Sequence, residues 1–173
     1  MTEIPDTPEQ ALANYAQLLA KVDAKFSEIR GRHEDSFQCA KGCHSCCRPG
    51  LTVNALEAHA IRNWIGRRPD IRQKIKDLQE QNPHQGQRCS LLTADGACVV
   101  YEVRPIVCRS HGAPLKFKDK GVDRRDVCPL NFSGDISSLV GDDLLNLDLL
   151  NTLLSLITQQ FGASEQRIPL ADL

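Results

Sequence analysis

Aromatic residues are scarce in this chain: one Trp, two Tyr and five Phe among 173 residues. That is too few for the stacked platforms on which single-stranded nucleic acids are held, so nucleic acid is not an expected partner. No apolar run approaches the roughly 18 residues of a membrane span, and a membrane role is not expected either. The opening residues, MTEIPDTPEQ, are polar and acidic, without the basic and apolar regions of a secretory leader. A cytoplasmic address is therefore the expectation. Internal repeats, low-complexity tracts and interdomain linkers are also missing. Residues 1–173 accordingly read as a single domain, long enough to bury a core without covalent staples.

Net charge is low as well, at −1, but it is unevenly distributed. Residues 1–38 carry four Lys/Arg and seven Asp/Glu, residues 39–128 carry sixteen and nine, and residues 129–173 carry one and six. The basic middle segment holds all eight cysteines, and its cations are interspersed among them. Compensation of ionised thiols accounts for that placement more simply than an anionic partner does.

What the chain has in excess is cysteine. Cys39, Cys43, Cys46, Cys47, Cys89, Cys98, Cys108 and Cys128 are separated by 3, 2, 0, 41, 8, 9 and 19 residues. In a reducing compartment such an array reads as metal-binding or redox-active before it reads as disulfides. Gaps of two and three residues let two sulfurs face one metal centre. The adjacent pair says more. Successive side chains diverge by about 100° on a helix and face opposite ways on a strand. Cys46 and Cys47 therefore point to two neighbouring centres or to one polynuclear cluster. An iron–sulfur cluster suits the dense loop and its nearby arginines and is preferred to zinc, which would need two four-ligand sites with His44 or His111 as possible substitutes. Cys39-x3-Cys43-x2-Cys46 also matches the spacing of radical S-adenosylmethionine enzymes, but the chain lacks their repeated strand–helix units and Gly-rich stretch.

Elsewhere the pattern is helical. Thr7-Pro8-Glu9-Gln10 is a capping signal, and apolar residues from Leu12 to Ile29 recur at three- and four-residue steps, giving an N-terminal helix within residues 1–35. Asn54 with Glu57 starts a second helix that ends at Gly66, with Trp64 in its core face. A third runs from Pro69 to Asn82, where Pro83 stops it. His59 and His84 have no cysteine neighbours and read as ordinary surface or core histidines. Asp95-Gly96 between Cys89-Ser-Leu-Leu and Cys98-Val-Val-Tyr101 predicts a β-hairpin. Glu102 to Pro105 leads into a helical turn carrying Cys108 and Arg109, and Lys116 to Arg125 reads as a charged loop. A Leu-rich helix is expected within residues 138–162, its N-terminus at Asp142 and Asp143. It is apolar almost all round, so it is either enclosed or offers a face to a protein partner or a second copy. The predicted class is mainly α: a small helical bundle with one short hairpin and cysteine-rich metal-binding loops.

Cys39-x3-Cys43-x2-Cys46-Cys47, Cys89-Ser-Leu-Leu and Gly96-x-Cys98-x2-Tyr101-Glu102-x-Arg104-Pro105-x2-Cys108-Arg109 together resemble the CxxCxxCC (YkgJ-type) cysteine-cluster family, over roughly residues 36–130. The first gap here is three residues where the family name has two. The resemblance implies a zinc- or iron-chelating domain in which the eight cysteines, Tyr101, Glu102, Arg104, Pro105 and Arg109 are family positions. Arg48, Arg104, Arg109 and Glu102 are the candidates for support around the metal. Three functions follow as expectations: a metal-binding protein in a redox, metal-handling or accessory role, an iron-dependent oxidoreductase or protein-modifying enzyme with an open metal position, or an adaptor with structural zinc and a partner-binding Leu-rich helix.

Overall fold

The computed structural model describes residues 7–40, 42–81, 86–134, 136–164 and 166–173. The expected stop at Pro83 and the reading of His84 lie outside the described residues.

Helix α1 (Pro8–Arg32) starts as the sequence predicts, with Pro at its first turn and the Thr7 hydroxyl accepting the Gln10 N–H at 3.1 Å. Its buried face is Ala11, Tyr15, Leu18, Val22 and Ile29. Helix α2 (Ala55–Gly66) carries a complete capping box between Asn54 and Glu57, satisfying two backbone donors reciprocally. Helix α3 (Pro69–Gln81) packs Ile75 and Leu78 inward. Trp64 is only half-buried and has the Arg68 guanidinium 4.1 Å above its ring, while His59 is exposed against Phe161. Short helix α4 (Ile106–Ser110) lies across α1, and α5 (Leu147–Gln160) packs along α1. None of the described helices is long and apolar enough to cross a membrane.

Strands are few. β1 (Thr52–Val53) pairs antiparallel with β5 (Ile168–Pro169), and β2 (Leu115–Asp119) lies between antiparallel β3 (Val122–Asp126) and parallel β4 (Leu145–Asn146). The charged segment predicted as a loop is therefore the regular hairpin. Lys120 and Gly121, with φ of 50° and 83°, make its two-residue turn in the left-handed region that matches strand twist. The hairpin expected over residues 89–101 is reduced to a single bridge between Leu92 and Cys98 around its Gly96 turn.

Three apolar clusters fill the interior. One joins α1, α2, α4 and α5 through Tyr15, Leu18, Val22, Leu56, Ile106 and Leu154. A second, at the far side of α2 and α3, is built on Val53, Ile61, Ile75, Leu92, Val100 and Leu170, and Cys89 belongs to it. A third, smaller cluster of Ile29, Phe37, Ala113 and Leu145 lies where the end of α1 meets β4.

Helix α5 differs from expectation at its start, and of the two alternatives for its surface it takes the one with an exposed face. Asn146, rather than an aspartate, caps it by accepting the Leu149 N–H. Asp142 and Asp143 precede it and pair instead with Lys25 and with Arg32 and His33 of α1. Leu150, Leu154 and Thr158 are buried, whereas Leu149, Leu153 and Leu156 are exposed, so the helix is covered on one side only.

Candidate metal centre

The cysteine loop is folded by its own backbone into successive tight turns. Ala40 O accepts the Cys43 N–H at 3.0 Å, His44 O accepts the Cys47 N–H at 2.9 Å, and Cys46 O accepts the Arg48 N–H at 2.9 Å. Two further contacts tie this loop to the segment that carries the next cysteines. Cys47 O accepts the Cys89 N–H at 2.9 Å. The His44 ring packs against Gly96, where a Cβ would lie 2.6 Å from His44 Cδ2 and 3.2 Å from Gly42 O. Gly96, at a φ of +82°, is thus required both for its turn and for the closeness of the two loops.

The thiols fall into two neighbourhoods. Cys89 is part of the second core cluster, and Cys47, Cys98 and Cys108 pack against the same cluster. Burial is the largest effect on Cys108, which is pushed up to about 12 with the thiols of Cys98 and Cys89 adding to the shift. Cys89 and Cys98 are also raised, first by burial. Buried thiols of one set thus resist ionisation together, and a cation among them would reverse that balance.

The other neighbourhood surrounds Asn131. A Cβ at Gly112 would lie 3.8 Å from Cys39 Sγ, 3.7 Å from Phe26 and 3.4 Å from Asn131 Nδ2. Burial, then the thiols of Cys128 and Cys43, push Cys39 up to about 11. Asn131, 1% exposed, is the hub of this region. Its side-chain oxygen accepts the N–H groups of Gln38 and Cys39 at 2.9 and 3.3 Å, and its amide donates to Gly112 O at 2.7 Å. Asn131 N–H also bonds Cys128 O at 2.8 Å.

Cys46 lies beside Cys47 and close enough to Cys108 to act on it. The Cys47 thiol donates to it, which brings Cys46 down to about 6 with further help from His111 and Arg104, while Cys47 is correspondingly raised. The adjacent pair therefore sits with the embedded thiols Cys89 and Cys108, with His111 beside Cys46. His44 is held against Gly96.

The arginines work mainly on the backbone. Arg104 stacks 3.7 Å over the Tyr101 ring and donates to Tyr101 O and Cys108 O, and its charge also favours the thiolates of Cys46, Cys98 and Cys108. Arg109 donates to Arg104 O and Glu102 O at 2.7 and 2.6 Å and pairs with Asp23 of α1. It is thus the carbonyl of Glu102, not its carboxylate, that takes part. Arg48 lies apart from these contacts, in the wall of a separate cleft.

Sequence reasoning missed Asn131 and Asp23, which lie 92 and 86 positions from Cys39 and Arg109 and carry no local signal. It also took Tyr15 as plain core. The Tyr15 phenol is buried without a hydrogen-bond partner among the described residues and is raised by burial, with the nearby Glu57 next in effect.

Donor chemistry fits a soft or borderline metal, since eight thiols and two imidazoles lie in adjoining loops. As the side chains stand, no three His, Cys, Asp or Glu among the described residues converge closely enough to chelate an ion. The first cysteine loop is already tied to the Cys89 segment by the bond from Cys89 N–H to Cys47 O.

A family model described as "CxxCxxCC: Putative zinc- or iron-chelating domain" matches residues 38–129, more than half of the chain. No curated protein and no solved structure matches.

Proposed function

Since the chain belongs to the CxxCxxCC family, described as zinc- or iron-chelating, we propose that it is a metal-binding protein whose thiols form two adjoining sets. Cys47, Cys89, Cys98 and Cys108 make the set embedded in the second core cluster. Cys39 and Cys128, held by Asn131, make the other, with Cys43 beside Cys39. Cys46, adjacent to Cys47, stands beside His111 and Arg104. The observation that carries this reading is that four of the thiols share one apolar cluster, while Cys39 has Cys128 and Cys43 for its thiol neighbours.

Of the two metals we favour iron, bound as an iron–sulfur cluster at the embedded set. Thiolates in an apolar setting, with Arg104 beside three of the cysteines, suit a centre of net negative charge. Such a centre supplies one-electron redox chemistry when bound, which points to a redox, metal-handling or accessory role. Anaerobically isolated protein is then expected to contain iron and acid-labile sulfide and to absorb near roughly 400 nm. Zinc in stoichiometric amount without sulfide would contradict the iron assignment and leave the two-set reading standing.

A second reading has its own support. Cys39, Cys43 and Cys128, if they share one ion, leave one position of a tetrahedral site for another ligand, the arrangement that an iron-dependent oxidoreductase or protein-modifying enzyme needs. In either case the exposed leucines of α5, Leu149, Leu153 and Leu156, are where a protein partner or a second copy would attach.

A further inference from the structure

Beside the embedded thiol set is a cleft of about 310 Å³, between the end of the cysteine loop, α3 and the C-terminal strap of β5. Cys89 lines it, Leu51, Leu78 and Leu170 give it an apolar body, and Arg48 and Arg88 are the only charged residues among its described lining. Neither guanidinium has an ion pair or hydrogen bond among the described residues, whereas Arg104 and Arg109 both hold backbone carbonyls. Two uncommitted arginines, Arg48 exposed and Arg88 half-buried, at an apolar cleft suit a planar anion, because the guanidinium fork pairs bidentately with a carboxylate. The volume is at the small end of ligand sites. With no aspartate or glutamate in the described lining, the cleft offers no carboxylate to the magnesium of a nucleotide.

We propose that this cleft binds a small carboxylate with an aliphatic body, its oxygens on Arg48 and Arg88 and its chain against Leu51, Leu78 and Leu170. The assignment builds on the metal reading in one respect only. If Cys89 is a metal ligand, the carboxylate sits beside the centre, as a substrate or a regulator of it would. Binding itself requires only the cleft.

Octanoate is a suitable probe, titrated calorimetrically into the intact chain as isolated anaerobically, with metal content measured on the same sample. Octanoate is expected to bind, octanamide of the same length to bind at least tenfold more weakly, and inorganic phosphate not to compete at equal concentration. Arg88→Gln is expected to weaken octanoate severalfold and Arg48→Gln with Arg88→Gln at least tenfold. Equal binding of octanamide, competition by phosphate, or unchanged affinity in the double variant would each overturn the proposal, the last because the carboxylate would then be on the metal or elsewhere. The comparison of octanoate with octanamide needs no variant and stands if the double variant fails to fold. Octanoate binding by protein that carries no metal would reject the metal reading and keep the cleft. No octanoate binding by metal-loaded protein would do the reverse.

Discussion

Asn131 joins three pieces of backbone through one amide, accepting from Gln38 and Cys39 and donating to Gly112. Replacing it by Ala leaves buried donors and an acceptor unpaired, which costs about 1–3 kcal/mol for each group that water cannot reach. Asn131→Ala is therefore expected to lower the urea midpoint by an amount equivalent to about 2–4 kcal/mol and to reduce the metal held by the Cys39 set, with little loss from the set around Cys89. Unchanged stability would show that the amide is not the hub it is taken for. Glu57 gives a second test at this scale. Its carboxylate accepts the N–H of Asn54 and of Ile106, joining α2 to α4, yet burial outweighs those bonds and raises its pKa. With the folded value above the unfolded one of about 4.3, the folded state holds the extra proton, so this contribution is full below the unfolded value and is lost as pH rises through the folded one. The stability of wild type minus that of Glu57→Gln should accordingly shrink as pH is raised from about 4 to 7, and a flat difference would contradict the account. Neither residue's role was legible beforehand in full. The Asn54–Glu57 box was, being local, but its reach to Ile106 and the whole role of Asn131 depend on contacts between distant segments.

Elements whose signals are local came through well. The Thr7-Pro8 start of α1 and the capping box of α2 are where the sequence puts them, because a cap is chemistry within four residues. The misreadings have different roots. Lys116 to Arg125 is a hairpin without apolar alternation, every residue of β3 being exposed, so periodicity had nothing to detect. Asp142 and Asp143 have the composition of a helix start, but Lys25, Arg32 and His33 compete for them from α1, and the chain goes on to Asn146 before turning helical. The Asp95-Gly96 turn was legible as a turn, while its role in seating His44 was not. Gly96→Ala adds a Cβ 2.6 Å from His44 Cδ2 at a φ of +82°, and strain of that kind costs on the order of 1–3 kcal/mol. Its expected result is a lower thermal midpoint together with weaker metal retention against a chelator. Full retention would mean that the two loops can separate without consequence.

For the molecule as a whole, the resemblance carried by the cysteine spacing found the eight candidate ligands and the basic arginines around them, and the adjacent pair implied more than one centre. Which thiols keep company was not readable from spacing. Cys47 shares the second core cluster with Cys89, Cys98 and Cys108, thiols 42 to 61 positions away along the chain, while Cys39, only eight positions before it, belongs with Cys128. That division is the central claim, and metal content in two paired variants tests it most directly. The account predicts that Cys98→Ser with Cys108→Ser loses the metal of the embedded set and keeps that of the Cys39 set, and that Cys39→Ser with Cys128→Ser does the opposite, with iron, zinc and sulfide counted per chain in anaerobically isolated protein. If each pair alone removes all the metal, the thiols serve one shared cluster and the division into two sets is wrong.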